Sequence, residues 1–316
     1  MEKGLKYVFG PVPSRRLGRS LGVNPIPFKT CNYSCVYCQL GKAIVFTNER
    51  KMFFPPEEMA DEIIEICSVK RDDIDYITFV GEGEPTLYKG LYTVSKMVKN
   101  NCNLPMAIIT NGALFSTEEV RKDVLLFDVI LVKVDANNEK LFRRINRPHK
   151  DIHFDKVIEG FIALRKEFSG EIWVETMLVK GLNDSEEVLW GIRDVLDRIN
   201  PHKRFVTIPT RPPAEPWVEI PDSEVLFRSF RILNAVPIYD VEHGEFDLSN
   251  FSSVEEGILT LIKRHPLRLE NVEDLLKQYE INVQIEDFVE KLRQKYGVKL
   301  KKYAGYTYLL HKDAKI

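Results

Sequence analysis

Cysteine is scarce in this chain of 316 residues, which contains five, an odd number. Secreted proteins that depend on disulfide bonds use paired cysteines spread along the chain, so this count favours a reducing compartment and we expect a cytoplasmic protein. Long apolar runs are missing too, since none approaches the roughly 18 residues that a membrane helix needs. The opening stretch MEKGLKYVFGPVPSRRLGRS has no apolar core of the kind that marks a signal peptide. We therefore expect no membrane partner.

A charge excess of either sign is also missing. Lys and Arg together number 45 and Asp and Glu 47, which gives a net charge of -2. A balanced charge provides no overall field that would attract nucleic acid or an anionic membrane. The 44% hydrophobic and 29% charged residues are typical of a globular protein, and the length is sufficient for one large and one small domain.

Short apolar runs alternate with amphipathic segments from about Leu21 to Leu233. Each run has the length of a strand and is apolar almost throughout, which is typical of a parallel strand covered on both faces. The six runs are SLGVNPI, DYITFVG, MAIITNG, DVILVKVDA, EIWVETMLV and RFVTIPT. Six strands alternating with helices predict right-handed βαβ units. Periodicity alone leaves open a doubly wound sheet and a full or partial barrel.

The alternation stops after Pro237. A polar stretch, DVEHGEFDLSN, leads into three helical patterns and an alternating segment with Ala304 and Gly305 at its turn. Three helices and a β-ribbon predict a winged helix, so we predict domains over 1–249 and 250–316. Basic and tyrosine residues on the ribbon favour nucleic-acid binding, whereas acidic residues on the third helix favour docking of a protein or substrate.

Three of the five cysteines, Cys31, Cys35 and Cys38, follow the first predicted strand with the spacing C-x3-C-x2-C. A structural zinc site uses four protein ligands, and the other two cysteines lie on an apolar helical stripe (Cys67) and in a distant turn (Cys102), where structural roles are expected. Three thiolates suit an iron–sulfur cluster that keeps one iron open to another ligand. A zinc ion with three thiolates is the alternative.

A second motif, GEGEP at Gly81 to Pro85, ends the second predicted strand. Sites in parallel α/β folds lie at the carboxyl ends of strands, so this motif and the cysteines are expected at one mouth. Together they resemble the signatures of the radical S-adenosylmethionine (radical SAM) superfamily: C-x3-C-x-aromatic-C, with Tyr37 as the aromatic residue, and G-G-E-P, with Glu82 in place of the first paired glycine. The resemblance covers roughly Leu21 to Leu233.

The resemblance implies a partial (β/α)6 TIM-like barrel followed here by the small winged-helix domain. It implies a [4Fe-4S] cluster held by Cys31, Cys35 and Cys38, with SAM on the fourth iron. A carboxylate is a natural acceptor for the SAM ammonium group, and the residues implied to bind SAM are Tyr37, Gly83, Glu84, Thr110, Asn111 and Asp135. A one-electron donor of flavodoxin or ferredoxin type is the implied partner.

Two of the candidate acids have alternative interpretations. Asp135 precedes a predicted helix, where Asp is common as an N-cap. Glu175 lies within the fifth predicted strand, where a carboxylate without a partner would be costly; we predict that it lines the barrel and contributes to cofactor binding, and a salt bridge with Lys133 is the alternative. Arginine side chains suit phosphate or carboxylate groups, and near the predicted mouth they are Arg15, Arg16, Arg19 and Arg211.

The reaction implied by the resemblance is reductive cleavage of SAM to a 5′-deoxyadenosyl radical, which abstracts hydrogen from a substrate. The sequence does not identify that substrate, and an RNA nucleoside, a peptide and a small metabolite are the candidates. The chain most resembles a group of radical SAM proteins that have a PVPSRR leader and a C-terminal winged helix. That group is loosely related to the wyosine-forming tRNA enzymes, whose second set of cysteine ligands is not evident here. The alternative function is a non-catalytic iron–sulfur or zinc regulator that binds nucleic acid; GEGEP and Asp135 favour the enzyme.

Overall fold

The computed structural model describes residues 5–238, 246–248 and 251–314. The larger part of the described chain alternates strands and helices. Its strands are β1 (Val8–Ser14), β2 (Gly18–Val23), β3 (Thr30–Cys31), β4 (Val45–Phe46), β5 (Tyr76–Phe79), β6 (Met106–Ile109), β7 (Val129–Lys133), β8 (Glu171–Met177), β9 (Lys203–Thr207) and β10 (Val236–Ile238). Its helices are α1 (Pro56–Val69), α2 (Leu91–Asn101), α3 (Glu118–Asp123), α4 (Glu139–Ile145), α5 (Phe154–Glu167), α6 (Glu186–Ile199) and α7 (Ser223–Leu233).

The main sheet has eight strands in the order β1-β2-β5-β6-β7-β8-β9-β10. Only the β1–β2 pair is antiparallel, and every other neighbouring pair is parallel. All six predicted strands are present, as β2 and β5 to β9, in sequence order. Since β1 and β10 are not paired with each other among the described residues, the curled sheet stays open. The fold is the mixed α/β partial TIM-like barrel that was predicted.

The apolar pattern of the strands and helices accounts for the two faces of this sheet. Helix α1 buries Met59, Ile63 and Cys67 on one stripe, as expected for residues three to four positions apart. On the concave face, Leu131 of β7 and Trp173 of β8 pack with Leu17 from the β1–β2 turn. Because side chains alternate along a strand, this apolar layer lies on the same face as polar residues nearer the carboxyl ends of β7 and β8.

The C-terminal part contains α8 (Val254–Arg264), β11 (Leu267–Arg268), α9 (Leu269–Gln278), α10 (Ile285–Tyr296), β12 (Lys299–Tyr303) and β13 (Tyr306–Leu310). Its three strands pair in the order β11-β13-β12. The hairpin turn has positive φ at Ala304 (49°) and Gly305 (83°), as a two-residue hairpin of type I′ requires. The predicted three helices and hairpin are present, while the winged-helix assignment stays a prediction.

The C-terminal part packs directly on the barrel. Phe9 and Val12 of β1 belong to the same apolar cluster as Ile258, Leu261 and Leu309 of the C-terminal part. The predicted linker, residues 240–250, lies outside the described residues except for 246–248, so the boundary between residues 249 and 250 stays a prediction. No helix in the described part of the chain is long and apolar enough to cross a membrane.

Candidate functional site

The three clustered cysteines line one cavity of about 280 Å³. A nitrogen donor faces each sulfur: the Tyr33 backbone N–H lies 3.4 Å from Cys31 Sγ, and the Asn146 side-chain amide 3.7 Å from Cys35 Sγ. The Lys29 ammonium lies 3.3 Å from Cys38 Sγ. Donors directed at sulfur stabilise the negative charge of a thiolate and are among the features that tune iron–sulfur clusters.

The donor set fits an iron–sulfur cluster. Three thiols line one cavity, and soft thiolate ligands are those that select such clusters. Burial raises the pKa of Cys35 to about 12 and also raises that of Cys31. A bound metal would therefore be needed to keep these thiols deprotonated. Cys67 and Cys102 are buried in the core, as expected of structural residues.

The GEGEP segment is hydrogen-bonded to the cysteine loop. The Glu84 N–H donates to the Thr30 carbonyl over 3.0 Å, and the Lys29 N–H donates to the Glu82 carbonyl over 2.7 Å. Gly83 lies between these two bonds, and a Cβ atom there would collide with the Thr30 carbonyl. The position therefore requires glycine because two backbones meet there, and both Gly83 and Glu84 line the cavity.

Glu84 is 2% exposed and joins the loops that follow β5 and β6. Its Oε1 accepts from the Thr86 N–H at 3.0 Å, the Thr86 hydroxyl at 2.6 Å and the Thr110 hydroxyl. Its Oε2 accepts from the Asn111 N–H at 2.8 Å. Burial raises the pKa of Glu84 although these bonds act in the opposite direction. Glu84, Thr110 and Asn111 thus lie together on the cavity wall, where the sequence predicted them.

Asp135 does not line the cavity, unlike the other predicted cofactor-binding residues. It is 2% exposed, and its carboxylate accepts from the Tyr37 hydroxyl, from the Asn146 amide at 2.7 Å and from the Met177 N–H at 2.8 Å. The carboxylate lies behind Tyr37, which does line the cavity. The described contacts of Asp135 are with protein groups, and its role in SAM binding stays a prediction.

The N-cap interpretation of Asp135 is wrong, because Asn138 caps α4 by accepting from the Leu141 N–H at 2.9 Å. Asn146, which sequence reasoning missed, contacts both Cys35 Sγ and Asp135. It lies just past the end of α4 and carries no motif, so only the folded chain reveals its place beside the cysteines.

Glu175 lines the cavity and is paired with two cations. It binds Lys133 on the neighbouring strand β7, as the alternative interpretation predicted, and also Arg16 from the β1–β2 turn. Burial alone would raise the pKa of Glu175, but Arg16 and Lys133 lower it to about 2. The carboxylate is therefore charged throughout the neutral range and holds Arg16 and Lys133, of which Lys133 also lines the cavity.

Glu82, the residue that departs from the G-G-E-P motif, points away from the cavity and towards α8. Its carboxylate lies 3.2 Å from Arg264 Nε and 3.7 Å from Lys263 Nζ. The Glu82 side chain is 1% and the Arg264 side chain 9% exposed. Burial raises the pKa of Glu82 and lowers that of Arg264. No local pattern indicated that Glu82 has a partner in the C-terminal part, because Arg264 is far from it in the chain.

The C-terminal part also contacts two loops of the cavity mouth. The Tyr303 hydroxyl donates to the Pro209 carbonyl over 2.9 Å, and the Tyr308 hydroxyl donates to the Thr210 carbonyl over 2.7 Å. Gln39, which follows Cys38, donates to the Arg264 carbonyl over 3.1 Å. Pro209, Thr210 and Gln39 all line the cavity, so the C-terminal part supports the walls of the site.

Comparisons with known proteins agree with this geometry. A family model described as the Radical SAM superfamily matches residues 26–189. A UPF0026 protein of Methanocaldococcus jannaschii is 42% identical over 289 residues, which is 89% of either chain. A Brachyspira hyodysenteriae protein named GTPase Obg is 41% identical over 221 residues, 70% of this chain and 32% of that protein.

The fold has solved relatives as well. A radical SAM methyltransferase from Sphaerobacter thermophilus matches with a TM-score of 0.53 at 16% identity, over 70% of this chain and 66% of that one. At this identity the likeness shows the fold alone. The family model covers the cysteine loop, GEGEP and strands β5 to β8, whose ends carry much of the cavity wall. The chain therefore belongs to the radical SAM superfamily, whose members are enzymes that use a [4Fe-4S] cluster and S-adenosylmethionine.

Proposed function

We propose that Cys31, Cys35 and Cys38 hold the [4Fe-4S] cluster and that SAM binds on the side of the cavity formed by Gly83 and Glu84. The observation that carries this proposal is that three thiols and a buried carboxylate line one cavity. Held by these three cysteines, the cluster would supply the one-electron reduction that breaks the S–C5′ bond of SAM, with methionine as the leaving group and a 5′-deoxyadenosyl radical as the species that would take a hydrogen atom from the substrate.

Glu84 is the proposed acceptor for the SAM ammonium group. Four donors from Thr86, Thr110 and Asn111 already face its carboxylate, which offers about four lone-pair sites. A hydroxyl can rotate away from an acceptor, whereas a backbone N–H cannot. We therefore propose that the Thr110 hydroxyl turns aside to admit the ammonium group, while the Asn111 and Thr86 N–H groups keep the carboxylate in place.

Tyr37 and Asp135 have different proposed roles. Tyr37 lines the cavity and borders the adenine, with the ring held by the bond from its hydroxyl to Asp135. Asp135 acts as a positioning residue, because it also binds Asn146 and the Met177 N–H. The buried carboxylate thus links the cysteine loop, through Tyr37 and Asn146, to strand β8. Glu175 is proposed to hold Arg16 and Lys133 in place instead of binding SAM directly.

The contacts of the C-terminal part favour an enzyme over a nucleic-acid-binding regulator. Tyr303 and Tyr308 of the ribbon bind barrel carbonyls, and Tyr306 packs against the Arg268 guanidinium at 3.6 Å. Tyr308 is buried and the Tyr303 hydroxyl is directed at the barrel, whereas a ribbon that stacks on nucleic-acid bases presents exposed rings. The substrate is proposed to enter beside this part, with an electron donor of flavodoxin or ferredoxin type supplying the reductant.

Iron analysis and product analysis of anaerobically prepared protein test the proposal. Wild-type protein should hold about four irons per chain, and with dithionite and SAM it should release 5′-deoxyadenosine slowly without a substrate. Substituting alanine at Cys31, Cys35 or Cys38 should remove the iron, whereas the matched control Cys102→Ala should keep it. Stoichiometric zinc without iron, or the absence of 5′-deoxyadenosine from iron-loaded wild type, would contradict the proposal.

A further inference from the structure

Lys29 carries a buried positive charge beside the cysteine loop. The residue is 4% exposed, and its ammonium group donates to Cys38 Sγ over 3.3 Å and to the Gly41 carbonyl. Cys38 lines the cavity, whereas Lys29 lies outside its lining. The ammonium group therefore contacts a proposed cluster ligand and does not belong to the wall that would contact SAM.

The two carboxylates of the neighbouring GEGEP segment have other partners. The Glu82 carboxylate pairs with Arg264 and Lys263. The Glu84 carboxylate, which lines the cavity, already accepts from four donors. In the described part of the chain Lys29 forms no ion pair with a carboxylate. A buried ammonium group without an anionic partner is costly, and a negatively charged sulfur beside it would remove that cost.

The backbone at residue 29 also points to a function of the side chain. Lys29 has a φ of 56°, in the left-handed region that is unfavourable for residues with a Cβ atom. Its N–H donates to the Glu82 carbonyl over 2.7 Å, and its carbonyl accepts from the Ile44 and Val45 N–H groups. Glycine would make the same backbone bonds at a lower cost. Backbone strain of this kind is typical of functional positions, and here the lysine side chain is what the strain retains.

We propose that Lys29 is the counter-ion of the iron–sulfur cluster and that its charge raises the reduction potential of the cluster. The inference rests on the proposed function, because it needs a cluster on Cys38. A cluster held by three thiolates is anionic and becomes more negative on reduction, so a nearby ammonium group stabilises the reduced form more than the oxidised form. The Asn146 amide at Cys35 acts in the same direction, but only through a dipole. Lys29 is thus a positioning residue that acts through Cys38 and makes reduction by a one-electron donor easier.

Potentiometric titration of anaerobic holoenzyme without SAM, followed by the electron paramagnetic resonance signal of the reduced cluster, tests the charge. Lys29→Gln keeps a donor for the loop but removes the charge. At a fixed potential it should lower the ratio of reduced to oxidised cluster about tenfold, which corresponds to a decrease of about 59 mV in the potential. Lys29→Arg should stay close to wild type. Lys42→Gln is the matched control with an unchanged potential, because Lys42 is in the same loop but has a 53% exposed side chain that pairs with Glu215.

An unchanged or higher potential in Lys29→Gln would overturn the inference, as would an equal decrease in Lys29→Arg or in Lys42→Gln. If Lys29→Gln holds no iron, Lys29→Arg decides. Iron-loaded Lys29→Arg with the wild-type potential would support a required charge, and loss of iron from both variants would assign Lys29 to closing the loop and refute the inference. Wild type without an iron–sulfur cluster would refute the proposed function itself, whereas a cluster whose potential ignores Lys29 would refute this inference alone.

Discussion

The buried pair of Glu82 and Arg264 couples the GEGEP segment to the C-terminal part, and its removal has a predictable cost. In Arg264→Met the apolar volume beside Phe9 is kept, but the Glu82 carboxylate, 1% exposed, loses its nearest cation. Breaking a buried pair in this way costs about 3–5 kcal/mol. Lys263 remains at 3.7 Å with a 41% exposed side chain, so we expect the lower end, about 3 kcal/mol at pH 8.

The cost should depend on pH in a defined direction. Burial raises the pKa of Glu82 above its ordinary value, and losing Arg264 raises it further. A protonated Glu82 needs no cation. The free energy of unfolding of Arg264→Met therefore falls furthest below that of wild type when the pH is above the folded-state pKa of Glu82. The difference shrinks as the pH falls towards the pKa of glutamate in the unfolded chain. The deficit of Arg264→Met relative to wild type should therefore be larger at pH 8 than at pH 5.

Urea unfolding measures the free energy of unfolding of four proteins: wild type, Arg264→Met, Glu82→Gly and the double variant. Glu82→Gly restores the paired glycines of the motif, and Glu82→Gly with Arg264→Met should be more stable than Arg264→Met alone, because no buried carboxylate is left without a cation. The coupling energy from the four proteins should reach about 2 kcal/mol or more, within the range seen for contacting charges. Equal stability of wild type and Arg264→Met at pH 8, or a deficit that does not change between pH 5 and pH 8, would refute the reasoning.

Three further predictions concern the site. Glu84→Gln should keep its iron but bind SAM about tenfold or more weakly, as a lost charge-assisted hydrogen bond predicts, and equal SAM affinity by calorimetry would move SAM away from GEGEP. Asn146→Ala should lower the reduction potential of the cluster, because it removes a hydrogen-bond donor that faces Cys35 Sγ. Potentiometric titration compares it with the surface control Asn101→Ala, whose amide binds a helix carbonyl. Equal potentials in the two variants would contradict the prediction. A chain ending at Leu248 should unfold at a lower urea concentration than the full chain, because Phe9 and Val12 lose their cover, and an unchanged midpoint would show that the C-terminal part adds nothing to barrel stability.

The parts of the site that follow strand ends were predictable, because a rule about parallel sheets places them without further information. Glu84 follows β5 and Thr110 follows β6, and the two are hydrogen-bonded in the structure. The direction in which a side chain points could not be predicted in the same way. Asp135 follows β7 as predicted, yet its carboxylate turns behind Tyr37, since the local sequence does not state which neighbours a strand-end residue will meet.

By itself the sequence determined the alternating strands and helices, the open α/β barrel through its resemblance, and the position of the cysteine triplet. These depend on residues close together in the chain, where spacing and side-chain type are sufficient. Only the tertiary structure decided the pairs between distant segments: Arg16 with Glu175, which are 159 positions apart, and Glu82 with Arg264. Their attraction is strong only after folding excludes water from both partners, and such pairs carry no local pattern.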